Sequence, residues 1–215
     1  MATLHKRLGG RPVRRWLEAI LLLVGVVCLG VYLYAYLDAR LFQAVAGRQF
    51  DRRLAQRPAA ALPGEHGSAP APTAPALQQA AEGSPIGRLE IPRIGVSVLV
   101  VEGVADASLR VAVGHIPSTG LPGAPGAPGN VGIAGHRDTF FRPLKDIRKN
   151  DQLILRTPSG TYSYRVDSIQ VVPPDRVDVL QPLDHSVLTL VTCYPFYYIG
   201  SAPDRFIVQA RLETT

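Results

Sequence analysis

A chain of 215 residues, 47% of them hydrophobic, has room for one domain of ordinary size plus extensions. Its net charge of +6 suggests nucleic acid or a membrane surface until it is divided: residues 1 to 85 carry ten Lys or Arg against five Asp or Glu, and residues 86 to 215 thirteen against twelve. The second part is close to neutral, which speaks against a nucleic-acid partner, so the basicity belongs to the N-terminal segment.

That segment opens with Lys6, Arg7, Arg11, Arg14, Arg15 and Trp16 in residues 1 to 18. Residues 19 to 37, Ala19 to Leu37, carry no charge and are rich in Leu and Val. At 1.5 Å per residue such a helix is about 28 Å long, close to the roughly 30 Å hydrocarbon core. One transmembrane helix follows from this. The basic residues ahead of it place the N-terminus in the cytoplasm and the remainder outside, although Arg40, Arg48, Arg52, Arg53 and Arg57 follow at wider spacing. The competing reading is a cleaved signal peptide, because Ala44-Val45-Ala46 before Gly47 imitates a small-residue cleavage site. Against cleavage, the apolar run is long for a signal sequence, and Asp38 and Arg40 separate it from the site. Residues 38 to 85 are expected to be a linker, rich in Pro and Ala from residue 58 onward and too poor in branched apolar residues to offset the entropy of ordering.

Residues 86 to 215 read as all-β. Strands are expected at Ile86 to Ile91, Val96 to Val101, Asn130 to Gly135, Gln152 to Thr157, Tyr162 to Val172, Val187 to Val191 and Phe206 to Leu212. Tyr162, Tyr164 and Val166 alternate with Ser163, Arg165 and Asp167, the period-2 pattern of a strand with one wet face. Short helices are expected at Ala107 to Val113, Phe140 to Lys145 and Asp175 to Leu180. Many short strands with Gly and Pro turns indicate a barrel or sandwich. Gly120, Gly123, Gly126 and Gly129, with Pro122, Pro125 and Pro128 between them, form a short polyproline-like excursion, read as a spacer with a substrate lid as the alternative.

The two strands near the C-terminus frame Cys193. If they pair antiparallel, Cys193 ends one of them and faces Arg205 at the start of the other. Cys28 lies inside the apolar run, so Cys193 has no disulfide partner in its own domain. A lone thiol in an exported domain is exposed to oxidation, which makes a reactive role worth weighing against a small buried hydrophobe. No CxxC, HExxH or clustered acidic loop occurs, so neither a metal nor a cofactor is expected.

A reactive thiol needs a base, and three histidines compete. His185 precedes Cys193 by eight residues on an extended path, which puts it about 25 Å away. His115 sits in the Gly-Pro loop, where it reads as a turn histidine that distance does not exclude. His136 follows its strand as Cys193 follows its own, and parallel pairing of those strands brings the two to one edge; a structural role is the alternative.

Thr189-Leu190-Val191-Thr192-Cys193, Ala202-Pro203-Asp204-Arg205-Phe206 and Ala134-Gly135-His136-Arg137-Asp138 together resemble the signature segments of the sortases, across most of residues 86 to 215. The Cys-Tyr-Pro-Phe continuation and the single N-terminal anchor resemble class D. The resemblance implies an eight-stranded β-barrel, with Cys193 as nucleophile, His136 as acid and base, and Arg205 as oxyanion or substrate-positioning residue. It places Thr192, Ala134 and Tyr194 at the substrate, and leaves Asp138 a solvated charge rather than an orienter of His136. The partners it implies are proteins bearing a Leu-Pro-x-Thr-Gly-like sorting signal and an amine acceptor on the cell envelope or a pilin subunit. Two alternatives remain at this stage: a thiol hydrolase using the same residues without transfer, and a membrane-anchored binding module with an inert Cys193.

Overall fold

The computed structural model of the chain describes residues 10–56, 80–120 and 129–213. The elements are α1 (Gly10–Ala55), β1 (Pro85–Ile91), β2 (Val96–Glu102), α2 (Asp106–Val111), β3 (Val113–His115), β4 (Gly129–Ala134), β5 (Gln152–Thr157), β6 (Gly160–Val172), β7 (Ser186–Tyr194) and β8 (Asp204–Leu212), with 3-10 turns at Pro92–Ile94, Arg142–Asp146 and Val177–Leu180. The chain divides into two compact units, Met1–Leu41 and Phe42–Thr215.

In the second unit the strands close into a barrel in the order β1-β2-β3-β4-β7-β8-β6-β5. Closure leaves no strand with a bare edge. Every pairing is antiparallel except β2 with β3 and β4 with β7. The interior is filled by alternate strand residues, among them Leu89, Val98, Ile133, Leu153, Leu188, Leu190 and Val208, with Phe141 buried from the β4 to β5 connection. Alternation inward and outward is what the period-2 pattern of β6 and β8 demands.

β2 departs from that pattern, because Val98 to Val101 are all fully buried. Inward Val98 and Val100 join the barrel core, while Leu99, Val101 and nearby Ala112 pack against Phe42, Ala46, Phe50 and Leu54 of α1. These four helix residues recur at every fourth position, one face of an α-helix. The Gln43 amide reinforces the contact: its Oε1 accepts from Leu99 N at 3.0 Å and its Nε2 donates to Val111 O at 2.7 Å. β3 pairs with β2 only from Val100 to Glu102, so Gln43 supplies the partner Leu99 lacks where the short strand stops.

Three expectations change here. The linker was expected from residue 38, but the helix runs to Ala55 and its last turns belong to the barrel unit, since the stripe at 42, 46, 50 and 54 has an apolar strand face to bury. A helix was expected through Val113, but α2 ends at Val111 and Val113–His115 form the eighth strand, too short to show a period. His115 therefore lies in a strand and is buried, not exposed in a turn. The linker residues 57–79 and the Gly-Pro residues 121–128 lie outside the described residues.

In the first unit, α1 is long and apolar enough to cross a membrane, with a mean hydropathy of 2.4 over its most apolar window. Its Leu and Val side chains from Leu17 to Leu37 are exposed to the surroundings rather than packed.

Candidate active site

β7 and β8 pair with Thr192 opposite Phe206, Cys193 opposite Arg205 and Tyr194 opposite Asp204. Leu188, Leu190 and Thr192 are buried, the first two in the barrel core, so Cys193 and Arg205 stand together on the outer face of the sheet. Both are half-buried. Tyr194 faces the other way, stacked on Phe206 at 6.1 Å and edge-on to Phe196 at 6.0 Å. That aromatic group packs on the core and stiffens the strand ends carrying Cys193 and Arg205.

β4 runs parallel to β7, with Ile133 opposite Leu190 and Ala134 opposite Val191. Two residues further on, the same register brings His136 level with Cys193. The strands stay joined beyond the last ladder pair, since Gly135 N donates to Val191 O at 3.1 Å and Thr192 Oγ1 to Gly135 O at 2.7 Å. The buried Thr192 hydroxyl thus spends its proton on holding β4 to β7. Half-buried Ala134 lies beside Val191, one residue short of that junction. Gly135 has to lack a side chain, because a Cβ there would come within 2.7 Å of the buried Phe141 ring. The chain after His136 then turns back, with Thr139 N and Phe141 N donating to His136 O.

The Arg205 Nη1 donates to Asp204 O at 3.0 Å and Ala202 O at 3.4 Å, which fixes the plane of the guanidinium. No carboxylate pairs with it among the described residues, so its remaining N–H groups stay available to an acceptor outside the chain. The 3-10 turn at Val177–Leu180 forms a wall on the same face of the sheet, Val179 and Leu180 packing with Val172, Val191 and Ile207. Buried Asn130 anchors that wall, donating to Val179 O at 2.9 Å and accepting from Thr189 Oγ1 at 2.7 Å. Gly132 leaves room for it, since a Cβ there would touch Leu180, Ile116 and Thr119 at about 3.0 to 3.1 Å.

The other histidines are placed differently. The His115 ring is buried, with Nδ1 at 3.0 Å from Glu102 Oε2 and Nε2 at 2.9 Å from Gly120 O and 3.1 Å from Thr119 Oγ1. Nδ1 ties the ring to Glu102 at the end of β2, and Nε2 pins the start of the β3 to β4 connection. His185 sits beside Asp184 just before β7, at the opposite end of that strand from Cys193. Asp138 is exposed.

The sequence assigned no role of their own to Arg137, Gly135 and Asn130. Arg137 follows His136, and its Nη2 donates to Tyr198 O at 2.8 Å and Gly200 O at 2.9 Å in the β7 to β8 connection. Tyr197 of the same connection lies by Lys145, whose ammonium is held above its ordinary pKa first by the Asp146 carboxylate and then by the Tyr197 oxygen. Only the adjacency of Arg137 to His136 hinted at any of this.

A thiol, an imidazole and an unpaired guanidinium at one sheet edge suit nucleophilic attack on a carbonyl. Among the described residues no cluster of His, Cys, Asp or Glu is able to hold a metal ion. Comparison with known proteins points to the same chemistry. Residues 89–213 match the family model described as Sortase domain. Sortase D of Bacillus subtilis (strain 168) is 35% identical over 134 residues, covering 61% of this chain and 66% of that protein. The chain spans between 35% and 66% of the length of its curated relatives. A Sortase D5 transpeptidase of Clostridium perfringens superposes with a TM-score of 0.57 at 31% identity, over 64% of this chain and 84% of the other. Sortase A of Corynebacterium diphtheriae does so with a TM-score of 0.57 at 29% identity, over 61% of each chain.

Proposed function

Since the chain belongs to the sortase family, we propose that it is a membrane-anchored cysteine transpeptidase that cuts a Leu-Pro-x-Thr-Gly-like sorting signal and joins the new carboxyl end to an amine of the cell envelope or a pilin subunit. The observation that carries this reading is the register: Cys193 is the cross-strand partner of Arg205, and His136 leaves β4 alongside β7.

The reaction follows from what each group does. The Cys193 thiolate attacks the scissile carbonyl carbon, and the carbonyl electron pair moves onto oxygen. The free N–H groups of Arg205 stabilise that oxyanion, a contribution of about 10² to 10³ in rate for one well-placed donor. The His136 imidazolium gives its proton to the departing amine as the C–N bond breaks, worth about 10² to 10⁴. A thioacyl enzyme remains. The acceptor amine attacks it, loses a proton to His136, and expels the thiolate as the C–S bond breaks. Asn130, through the wall it anchors, and Ala134 shape the groove that holds the signal, while Thr192 and Tyr194 act by fixing the ends of β4, β7 and β8.

The basic residues ahead of Ala19 favour a cytoplasmic N-terminus with the barrel outside. The test uses the full chain in native membrane vesicles or detergent, given peptides with candidate signals plus an added amine, and reads products by mass spectrometry. A peptide–amine conjugate formed by the wild type and absent with Cys193→Ala is expected. Cleaved peptide without the amine would replace transfer by hydrolysis. No reaction, together with a Cys193 inert to a small alkylating reagent, would leave only a binding module. In intact cells bearing the full chain, external protease should reach the barrel once any outer envelope is opened, and protection would reverse the orientation.

A further inference from the structure

The base and the thiol arrive on different parts of the barrel, and downstream of His136 the Arg137 side chain ties their two segments together. The β4 to β7 ladder ends at Ala134, and the two bonds beyond it both involve Gly135, upstream of His136. Downstream, Arg137 crosses to the connection between Cys193 and Arg205, where one nitrogen, Nη2, serves both Tyr198 O and Gly200 O. The guanidinium also lies 5.9 Å from the centre of the Tyr198 ring, within cation-π range.

Past Phe196, which packs on the core, and Tyr197, which lies by Lys145, the middle of that connection has few contacts. Tyr197, Tyr198 and Ile199 are exposed, Ile199 at 98%, and Gly200 adopts a φ of +98° that few other residues tolerate. Within it, Tyr198 N donates to Pro195 O at 3.4 Å, a long bond. An exposed segment with so few contacts is of the low-stability kind unless something clamps it.

We infer that Arg137 is a positioning residue: by clamping the β7 to β8 connection to the residue after His136, it fixes the distance between imidazole and thiol and the approach of Arg205. It touches neither reacting atom. Arg137 Nη1 is buried without a hydrogen-bond partner. The fork is thus only partly satisfied, and replacing it removes an unpaired buried donor together with two charged bonds, so the fold should tolerate the change. Misplacing a reacting pair by about 1 Å can cost about 10² in rate.

The proposal rests on the reading of Cys193 as thiol and His136 as base, and its test separates the two. Full-length protein in detergent is alkylated with iodoacetamide across pH 5 to 10, following the Cys193 peptide by mass spectrometry so that Cys28 does not interfere. Wild type, His136→Ala and Arg137→Met are compared, with Arg137→Gln standing in if the methionine variant does not fold. The expected result is that His136→Ala changes the pH profile, that Arg137→Met shifts it the same way, and that its melting curve stays close to wild type. An Arg137→Met profile that overlays wild type while His136→Ala differs would overturn the clamp and leave the active-site reading standing. If His136→Ala itself overlays wild type, the reading of the base fails. Limited chymotrypsin digestion then judges the clamp alone: faster cutting after Tyr197 or Tyr198 in Arg137→Met upholds it, and an unchanged rate overturns it.

Discussion

Arg205 holds its own turn with Nη1, and no carboxylate among the described residues pairs with the rest of its fork; if that fork serves an oxyanion, lysine is a poor substitute. An ammonium keeps the charge, but as a flexible point donor it cannot both bond Asp204 O and present a fixed N–H to an oxyanion. Arg205→Lys should therefore lower kcat by about 10² to 10³, with a smaller change in KM, because the lost contact is made in the transition state. Steady-state kinetics decide it, and a kcat within about threefold of wild type would return Arg205 to a structural role at the strand end. Gly135 and Asn130 belong to the same scale. The first lets the chain pass the Phe141 ring so that His136 stays level with Cys193, and the second holds the 3-10 turn at Val177–Leu180 through bonds to Val179 O and Thr189 Oγ1.

Among the elements, the end of α1 has the largest consequence for how the barrel is built. Phe50 is 3% exposed and packs against Leu99, Val101 and Ala112, so this turn of helix covers the outer face of β2 as a sheet neighbour would. Truncating a buried Phe to Ala typically costs about 3 to 5 kcal/mol through lost burial and the cavity left behind. Phe50→Ala should accordingly lower the urea midpoint of the barrel by that amount of stability, and a loss under about 1 kcal/mol would mean that the helix merely rests on β2. The same contact implies that a fragment beginning at Ile86 leaves Leu99 and Val101 bare and is prone to associate through them.

For the molecule as a whole, the buried carboxylate Asp151 makes stability depend on acid. Asp151 is buried and bonded by the Arg93 guanidinium of the β1 to β2 turn, and its Oδ2 also accepts from Arg148 N at 2.7 Å. The Arg93 bond, followed by the Arg148 amide, holds its carboxyl below the usual range against the opposing effect of burial. A carboxyl whose folded pKa is depressed stabilises the fold fully above its unfolded value, about 3.9, and loses that contribution as pH falls through the folded value. Asp151→Asn should thus be less stable than wild type by a constant margin from about pH 5 to 7, and the margin should shrink below about pH 4. Urea midpoints measured from pH 2 to 7 test this; a margin that grows on acidification would remove Asp151 from the account.

Seven of the eight strands, the apolar helix and the meeting of Cys193 with Arg205 were legible in the amino-acid order, because they rest on local signals: alternation in β6 and β8, an uncharged run as long as a bilayer is thick, and a short hairpin joining two apolar strands. The parallel pairing of β4 with β7 was also within reach, since His136 lies just past the end of one strand and Cys193 near the end of the other. What only the tertiary structure decided depends on partners far apart in the chain. The stripe at Phe42, Ala46, Phe50 and Leu54 becomes a packed face only because Leu99 and Val101 lie opposite it. β3 exists as a strand because β2 and β4 flank it, three residues being too few to declare a period. His115 reads as a turn residue until Glu102 and Gly120 O are seen to take both of its nitrogens. Arg137 was indistinguishable from any surface arginine, because the acceptors that give it a role are main-chain carbonyls, and a carbonyl has no signature in sequence.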